Sequence, residues 1–237
     1  MLKVNCKPVE LNKFPDGTFL IKEKPSGDKA LISWKFENNE ELVALIYITH
    51  HLRDHGVKTI HLFMPYIPNA RQDRVKTDED VFTLKYFAWV VNSLAFDRVM
   101  VVDPHSSVSE ALIERIKIIS PAHLINTVYN RVCEECSCGD NDVLMFYPDE
   151  GAMKRYSGMI SAPYAFGIKE RDWATGKIKG LSVFEGENSV KGKNILIVDD
   201  ISSRGGTFYH SAKKLKELGA EKVFLYVTHC ENTILEG

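Results

Sequence analysis

The chain has 237 residues, 44% hydrophobic and 26% charged, an ordinary globular mixture with enough length for one large domain or two small ones. Lys and Arg number 30 against 32 Asp and Glu, a formal net charge of −2, so no overall basic field exists to attract nucleic acid and any phosphate site must be local. The opening MLKVNCKPVELNKF lacks the layout of a signal peptide, and no apolar run reaches the length that spans a bilayer. With five cysteines read as reduced thiols, the expectation is a soluble cytoplasmic protein with neither a membrane nor a nucleic-acid partner.

Taken in chain order, residues 14–33 read as a small antiparallel start, with Asp16-Gly17 and Ser26-Gly27 as turn dipeptides. A helical pattern over 38–55 ends at Gly56, with His50 and His51 placed to assist its C-terminus. The run TIHLFM (59–64) reads as a buried parallel strand, followed by a helical pattern over 80–95 in which Phe82, Tyr86, Phe87 and Trp89 are expected in the core. RVMVVD (98–103) reads as a strand and 109–116 as a helix. VLMFY (143–147), NILIVD (194–199) and KVFLYV (222–227) read as further strands, with a helix over 206–218 that Gly219 ends. Polar stretches over 130–142 and 170–193 interrupt the pattern, and the second has the length of a mobile active-site loop. Alternating strand and helix predict an α/β protein with mainly parallel sheets, in two halves over 1–125 and 126–237.

The strongest local signal is ILIVDDISSRGGT (195–207), where a buried strand delivers Asp199 and Asp200 and a Gly-rich turn opens a helix. Backbone N–H groups of residues 203–207 and the positive helix end form a phosphate cradle. The aspartates are acceptor-only groups suited to the vicinal hydroxyls of a ribose. The plain alternative is a solvated aspartate pair at a helix start. MPYIPNARQDR (64–74) follows another strand and concentrates Arg71, Gln72, Asp73 and Arg74, with arginine forks suited to phosphate and a glutamine suited to an adenine edge. DPHS (103–106) and PDEGA (148–152) also sit at strand ends, the latter followed by Lys154 and Arg155. His105 and Asp149 there are candidates to hold a Mg²⁺ that bridges nucleotide phosphates. Neither a Walker A loop nor a G-x-G-x-x-G fingerprint occurs, so any ATP site is built differently.

PYIPNARQDR, VVDPHS, YPDEGAMKR and ILIVDDISSRGGT stand in the order of the signature regions of phosphoribosyl-pyrophosphate synthetases, also called ribose-phosphate pyrophosphokinases, which this chain resembles. FPDGT (14–18) is similar to that family's nucleotide segment. The resemblance implies two phosphoribosyltransferase-type halves, mainly parallel sheets flanked by helices, with the active site between them. It implies nucleotide biosynthesis: ATP as co-substrate, Mg²⁺, small-molecule substrates and a homo-oligomer. By position it implies that Arg71, Gln72, Asp73, Arg74 and His105 bind ATP, with Phe14 and Asp16 completing an adenine pocket from a neighbouring subunit. His105 and Asp149 stand by the metal, and Asp199 and Asp200 hold the ribose hydroxyls. Ser202, Ser203, Arg204, Gly205, Gly206 and Thr207 bind the sugar phosphate, and Lys169 and Arg171 are the catalytic pair.

The chain departs from the family pattern in places. Ser203 and Arg204 replace an Asp-Thr pair in the phosphate loop, which makes it more positive by about two charges and suits either ribose 5-phosphate or a larger acceptor such as ADP-ribose. Family segments before FPDGT and after His229 are short. Cys133, Cys136 and Cys138 have no family counterpart; with His123 as the nearest further ligand, thiols on a polar helix end are expected rather than a zinc site. A phosphoribosyltransferase and a non-catalytic regulatory relative remain open as alternatives.

Overall fold

A computed structural model describes residues 1–236 apart from 138, 140–141, 172–177 and 187. The chain divides into two compact units, Met1–Ile119 and Ser120–Gly237. The division falls slightly ahead of the boundary near 125 read from the sequence. The strand ending at Ile119 still pairs with its predecessor, and the helix that starts at Ala122 packs on the sheet of the second unit.

The first unit is built on a six-stranded sheet ordered β2-β1-β5-β6-β7-β8, with β1 (Leu2–Val4), β2 (Lys7–Pro8), β5 (Lys29–Trp34), β6 (Thr59–Phe63), β7 (Arg98–Val102) and β8 (Ile116–Ile119). Strands β5 to β8 are parallel, and β1 joins β5 antiparallel. Helix α1 (Glu40–Asp54) buries Ala44, Leu45, Ile48 and Leu52, the spacing of one helical face. Its start is pinned to β5 by the buried Glu41, whose carboxylate accepts from the Trp34 indole N–H (2.9 Å) and from Glu37 N (2.8 Å). Helix α2 (Thr83–Ser93) buries Leu84, Phe87, Ala88 and Val91. Tyr86 and Trp89, expected in the core, instead face out at 55% and 72% exposure, because they lie off that i, i+3, i+4, i+7 stripe. A separate hairpin, β3 (Leu11–Lys13) with β4 (Phe19–Ile21), is held to the core by Leu11, Phe19 and Ile21.

The second unit has a five-stranded sheet ordered β11-β10-β9-β12-β13. Its strands are β9 (Val143–Tyr147), β10 (Tyr164–Arg171), β11 (Ile178–Phe184), β12 (Asn194–Ser202) and β13 (Val223–Cys230). All neighbours are parallel except β10 and β11. Met145, Tyr147, Leu196 and Val198 pack on one face with Ile125, Tyr129 and Val132 of α4 (Ala122–Cys136). Leu144, Phe146, Ile195 and Ile197 pack on the other with Phe208 and Leu215 of α6 (Gly206–Glu217). Burial on both faces is why these central strands are uninterrupted apolar runs.

Three expectations are corrected. Residues 109–116 are not one helix: α3 (Val108–Leu112) is short, and Ile116 already begins β8. Most of 130–142 continues α4, whose apolar residues fall on a single stripe that its polar composition hides; Cys133 and Cys136 are unbridged and partly buried against that core, and Cys138 lies outside the described residues. Within 170–193, Ile178–Phe184 is a strand paired antiparallel with β10, so this part is not loop; residues 172–177 and 187 of the stretch lie outside the described residues.

Glu41→Ala strands a buried indole N–H and is expected to lower stability by about 1–3 kcal/mol in urea unfolding, with a smaller loss for Glu41→Gln, which keeps an acceptor.

Candidate active site

In the first unit the candidate residues gather at the carboxyl ends of β6 and β7. The chain leaves β6 through Pro65 and Pro68 and turns at Asn69, a non-glycine residue with φ 64°. Gln72 N donates to Asn69 O (3.0 Å) and closes that turn. Asp73 is buried, and Arg74 donates to both its oxygens from Nε (2.7 Å) and Nη2 (3.0 Å). The Arg74 hydrogen bond, opposed by burial and helped by the Ser106 hydroxyl, holds the Asp73 carboxyl well down, at about 2. Asp73 therefore links the RQDR loop to the DPHS loop that follows β7. That second loop bends at buried Asp103 (φ 43°) and carries His105. The Gln72 side-chain oxygen accepts from Thr83 Oγ1 (2.9 Å), while Arg71 and Arg74 are exposed. Phe14 and Asp16 sit apart from these loops in sequence, on the exposed turn between β3 and β4. There Asp16 Oδ1 accepts from Thr18 Oγ1 (2.7 Å) and Thr18 N (3.0 Å), bonds that lower its pKa.

In the second unit Asp149 ends the β9 turn in an extended conformation and caps α5 (Glu150–Tyr156), its Oδ1 accepting from Ala152 N at 3.0 Å. A Cβ at Gly151 would stand 3.2 Å from that oxygen, so glycine gives the cap room. The next cations diverge: Lys154 pairs with Glu150 in solvent (3.0 Å), whereas Arg155 turns inward and places Nη1 2.7 Å from Asp200 Oδ2. Burial, the largest single effect, opposes the guanidinium's charge, and Asp200 and Tyr156 together outweigh it and raise the Arg155 pKa. Asp200 N donates to Asp199 Oδ1 at 2.9 Å. Burial, then the negative charges of Asp200 and Asp149, push the Asp199 carboxyl well above the ordinary carboxylate range. The sequence had noted Arg155 without giving it a role; its position six residues beyond a strand-end aspartate was the available signal.

Beyond β12 the chain turns through Ser203 and Arg204 to Gly205 (φ 79°), whose left-handed conformation suits glycine, and enters α6. No acidic residue lies in the first turn of α6, where helix N–H groups lack intrahelical partners. Ser202 differs from its neighbours: it is the last residue of β12, buried, with its hydroxyl lacking a hydrogen-bond partner. Lys169 and Arg171 lie on β10, opposite Leu181 and Ile178, and their side chains fall outside the described residues.

Among the described residues no three His, Cys, Asp or Glu side chains form a metal cage. Mg²⁺ nevertheless fits the second unit as a cation carried partly by phosphate, since it takes one or two carboxylates and keeps its other positions for water and phosphate oxygens. Asp199, Asp200 and the Asp149 carboxylate that acts on Asp199 are the negative groups such an ion would meet there. Asp149 carries the hard carboxylate oxygen that such an ion prefers.

A mainly parallel sheet with paired strand-end aspartates and a Gly-turned helix start is the architecture of phosphoribosyltransferase-type domains. The family described as "Phosphoribosyl transferase domain" matches residues 160–233, and "N-terminal domain of ribose phosphate pyrophosphokinase" matches residues 1–94. Ribose-phosphate pyrophosphokinases of Thermococcus kodakarensis and Pyrococcus furiosus are 30% and 31% identical, each alignment covering 93% of this chain and 77% of the relative. That of Saccharolobus solfataricus is 29% identical over 97% of this chain and 78% of the relative. The crystal structure of phosphoribosylpyrophosphate synthetase from Mycobacterium smegmatis shares the fold, with TM-score 0.76 at 23% identity over 94% of this chain and 72% of that one. The chain belongs to the ribose-phosphate pyrophosphokinase family, and is thus an enzyme of the diphosphotransferase type. Among the described residues no helix is long and apolar enough to cross a membrane.

The Asp73 pKa is depressed in the folded chain, so its pairing adds stability above the unfolded value of 3.8 and loses it as pH falls toward about 2. Asp73→Asn is expected to flatten the acid limb of urea midpoints measured between about pH 2 and pH 5. An unchanged limb would show that the ion pair does not persist in solution.

Proposed function

We propose that the chain transfers the diphosphate of ATP to the anomeric hydroxyl of ribose 5-phosphate and releases AMP. The observation that carries this reading is the aspartate pair standing directly before a phosphate-type helix start on one strand–turn–helix, in a chain that also carries the linked RQDR and DPHS loops. Asp199 and Asp200 accept hydrogen bonds from ribose hydroxyls, and the turn 203–207 binds the 5-phosphate through backbone N–H groups. Arg71, Gln72 and Arg74 bind ATP together with His105, and Asp73 holds Arg74 in place. Phe14 and Asp16, on an exposed hairpin tip, complete an adenine pocket in a second copy of the chain. Such catalysis is largely positioning plus stabilisation of spread negative charge, and Lys169 and Arg171 supply that charge on the protein's side. Mg²⁺, which Asp149 would help to hold together with phosphate oxygens, would neutralise phosphate charge when bound.

A simple phosphoribosyltransferase needs no ATP site, so the RQDR and DPHS loops weigh against that alternative. Retention of Lys169, Arg171, His105 and Asp149 weighs against a purely regulatory relative.

Phosphorus NMR of ATP, Mg²⁺ and ribose 5-phosphate with the protein is expected to show AMP as the nucleotide product. ADP in its place would make the enzyme an ordinary kinase and end this reading. Lys169→Ala is expected to lower kcat by roughly 10²–10³-fold while ATP binding changes far less, since a charge that acts on the transition state contributes little to the ground state. Near-full turnover would remove Lys169 from the chemistry.

Arg204 and Ser203 favour a second acceptor, ADP-ribose, whose terminal ribose carries a phosphate joined to AMP. A guanidinium meeting that further phosphate contributes about 1.5–3 kcal/mol, roughly a 10- to 100-fold preference. Comparing kcat/KM for both acceptors in the parent and in Arg204→Thr is expected to show that preference fall in the variant. An inert ADP-ribose in the parent would end the larger-acceptor idea.

A further inference from the structure

We propose that Arg155 is a positioning residue for the sugar substrate: by pairing with Asp200 it fixes the carboxylate that receives the ribose hydroxyls and offsets negative charge that would repel a phosphorylated sugar. The inference rests on the functional reading above, in which Asp199 and Asp200 face the ribose.

The arrangement is built to hold one guanidinium in one place. Asp149 caps α5 and fixes its first turn, so the second turn, which carries Arg155, starts from a set position. Arg155 then reaches Asp200 at 2.7 Å, with side-chain exposures of 23% and 6%. The guanidinium carbon lies 5.6 Å from the ring centroid of Tyr156, which is fully buried and stacks on Tyr147. A planar, delocalised cation gains from ring and carboxylate together, as a lysine ammonium does not. Lys154 beside it shows the contrast, since it reaches Glu150 in solvent.

Stability alone is a poor reason for such a pair. Taking two charges out of water costs nearly as much as their attraction returns, and well-packed apolar groups often do better. Orientation explains it better. A carboxylate that must receive vicinal hydroxyls has to present its lone pairs at a fixed angle, and one oxygen of Asp200 is committed to Arg155. Charge points the same way. Asp200 and Asp149 both act on Asp199, and Arg155 answers the Asp200 charge before a dianionic sugar phosphate arrives.

The test uses the full chain as Arg155→Met and Arg155→Lys. Initial rates of AMP release are measured with ribose 5-phosphate varied at saturating ATP and then the reverse, and ribose 5-phosphate is titrated calorimetrically without ATP. Arg155→Met is expected to raise KM for ribose 5-phosphate about 10- to 100-fold, the equivalent of one charged hydrogen bond, with KM for ATP nearly unchanged. Arg155→Lys is expected to recover part of that loss. Asp200→Asn made in Arg155→Met is expected to cost less than in the parent, because the two residues act as a unit. An unchanged sugar KM in a folded Arg155→Met, an equal rise in both KM values, or fully additive losses would each overturn the proposal. If Arg155→Met does not fold, Arg155→Lys decides: weaker sugar binding at unchanged ATP KM supports the role, and parent-like sugar binding overturns it. A parent that makes no AMP sinks the functional reading alone. Calorimetric binding of the sugar phosphate to parent and variants still decides Arg155.

Discussion

Buried carboxylates need either a countercharge or a proton, and the second unit is organised around that requirement. Asp200 is buried and Asp199 half-buried near the end of β12, a strand covered on both faces. Arg155 answers Asp200 from α5, the helix whose start Asp149 caps beside Gly151. The adjacency of β9 and β12 in the sheet is therefore a functional constraint as well as a topological one: it brings the helix that follows one strand against the aspartates of the other. Asp199, answered by no such short ion pair among the described residues, keeps a pKa raised by burial and by the charges of Asp200 and Asp149.

The first unit meets its constraint differently. Its parallel strands alternate buried and less buried residues, and its loops hold their shape through strained backbone and one shared carboxylate. Asn69 and Asp103 both adopt positive φ, a conformation that costs energy for residues with a side chain and recurs where function over-determines geometry. Asp73 joins the two loops by accepting from Arg74 and Ser106, so the arginine loop and the histidine loop are placed by the same group. The second unit's phosphate turn uses a glycine at its positive-φ position and avoids that strain.

The fold was legible where burial is complete and obscure where it is one-sided. VLMFY and NILIVD could only be central strands, since both faces are apolar, and the parallel architecture follows from their spacing. The strand β11 was hidden because a strand at the sheet edge needs no continuous apolar run, and KIKGLS fell within the polar stretch 170–193. In α4 the apolar Ile125, Tyr129 and Val132 were outvoted by polar neighbours. In α2 the cluster of aromatics suggests a buried face, but Trp89 lies off the stripe of Leu84, Phe87, Ala88 and Val91. For the site, strand-end motifs located the loops, but pairings across elements, Asp73 with Ser106 and Arg155 with Asp200, depend on which strands are neighbours. No local reading of one sequence supplies that.

On the proposed reading, a single strand–turn–helix resolves a chemical problem that a sugar phosphate poses. Its hydroxyls are best met by acceptors and its phosphate by donors, yet only a few ångströms separate them. β12 places acceptor-only carboxylates at 199 and 200, and within a short turn the chain changes polarity to the N–H groups and guanidinium of 203–207. Each half would be weakened by the other if both were fully charged and free to move toward one another. Arg155 limits this by binding Asp200 from the opposite element, so that the aspartate is not drawn to the positive turn beside it. Replacement of the family's loop carboxylate by Ser203 works in the same direction, removing a negative charge from the donor half. The division of polarity along the segment, rather than any one residue in it, is what makes the segment selective for a phosphorylated ribose.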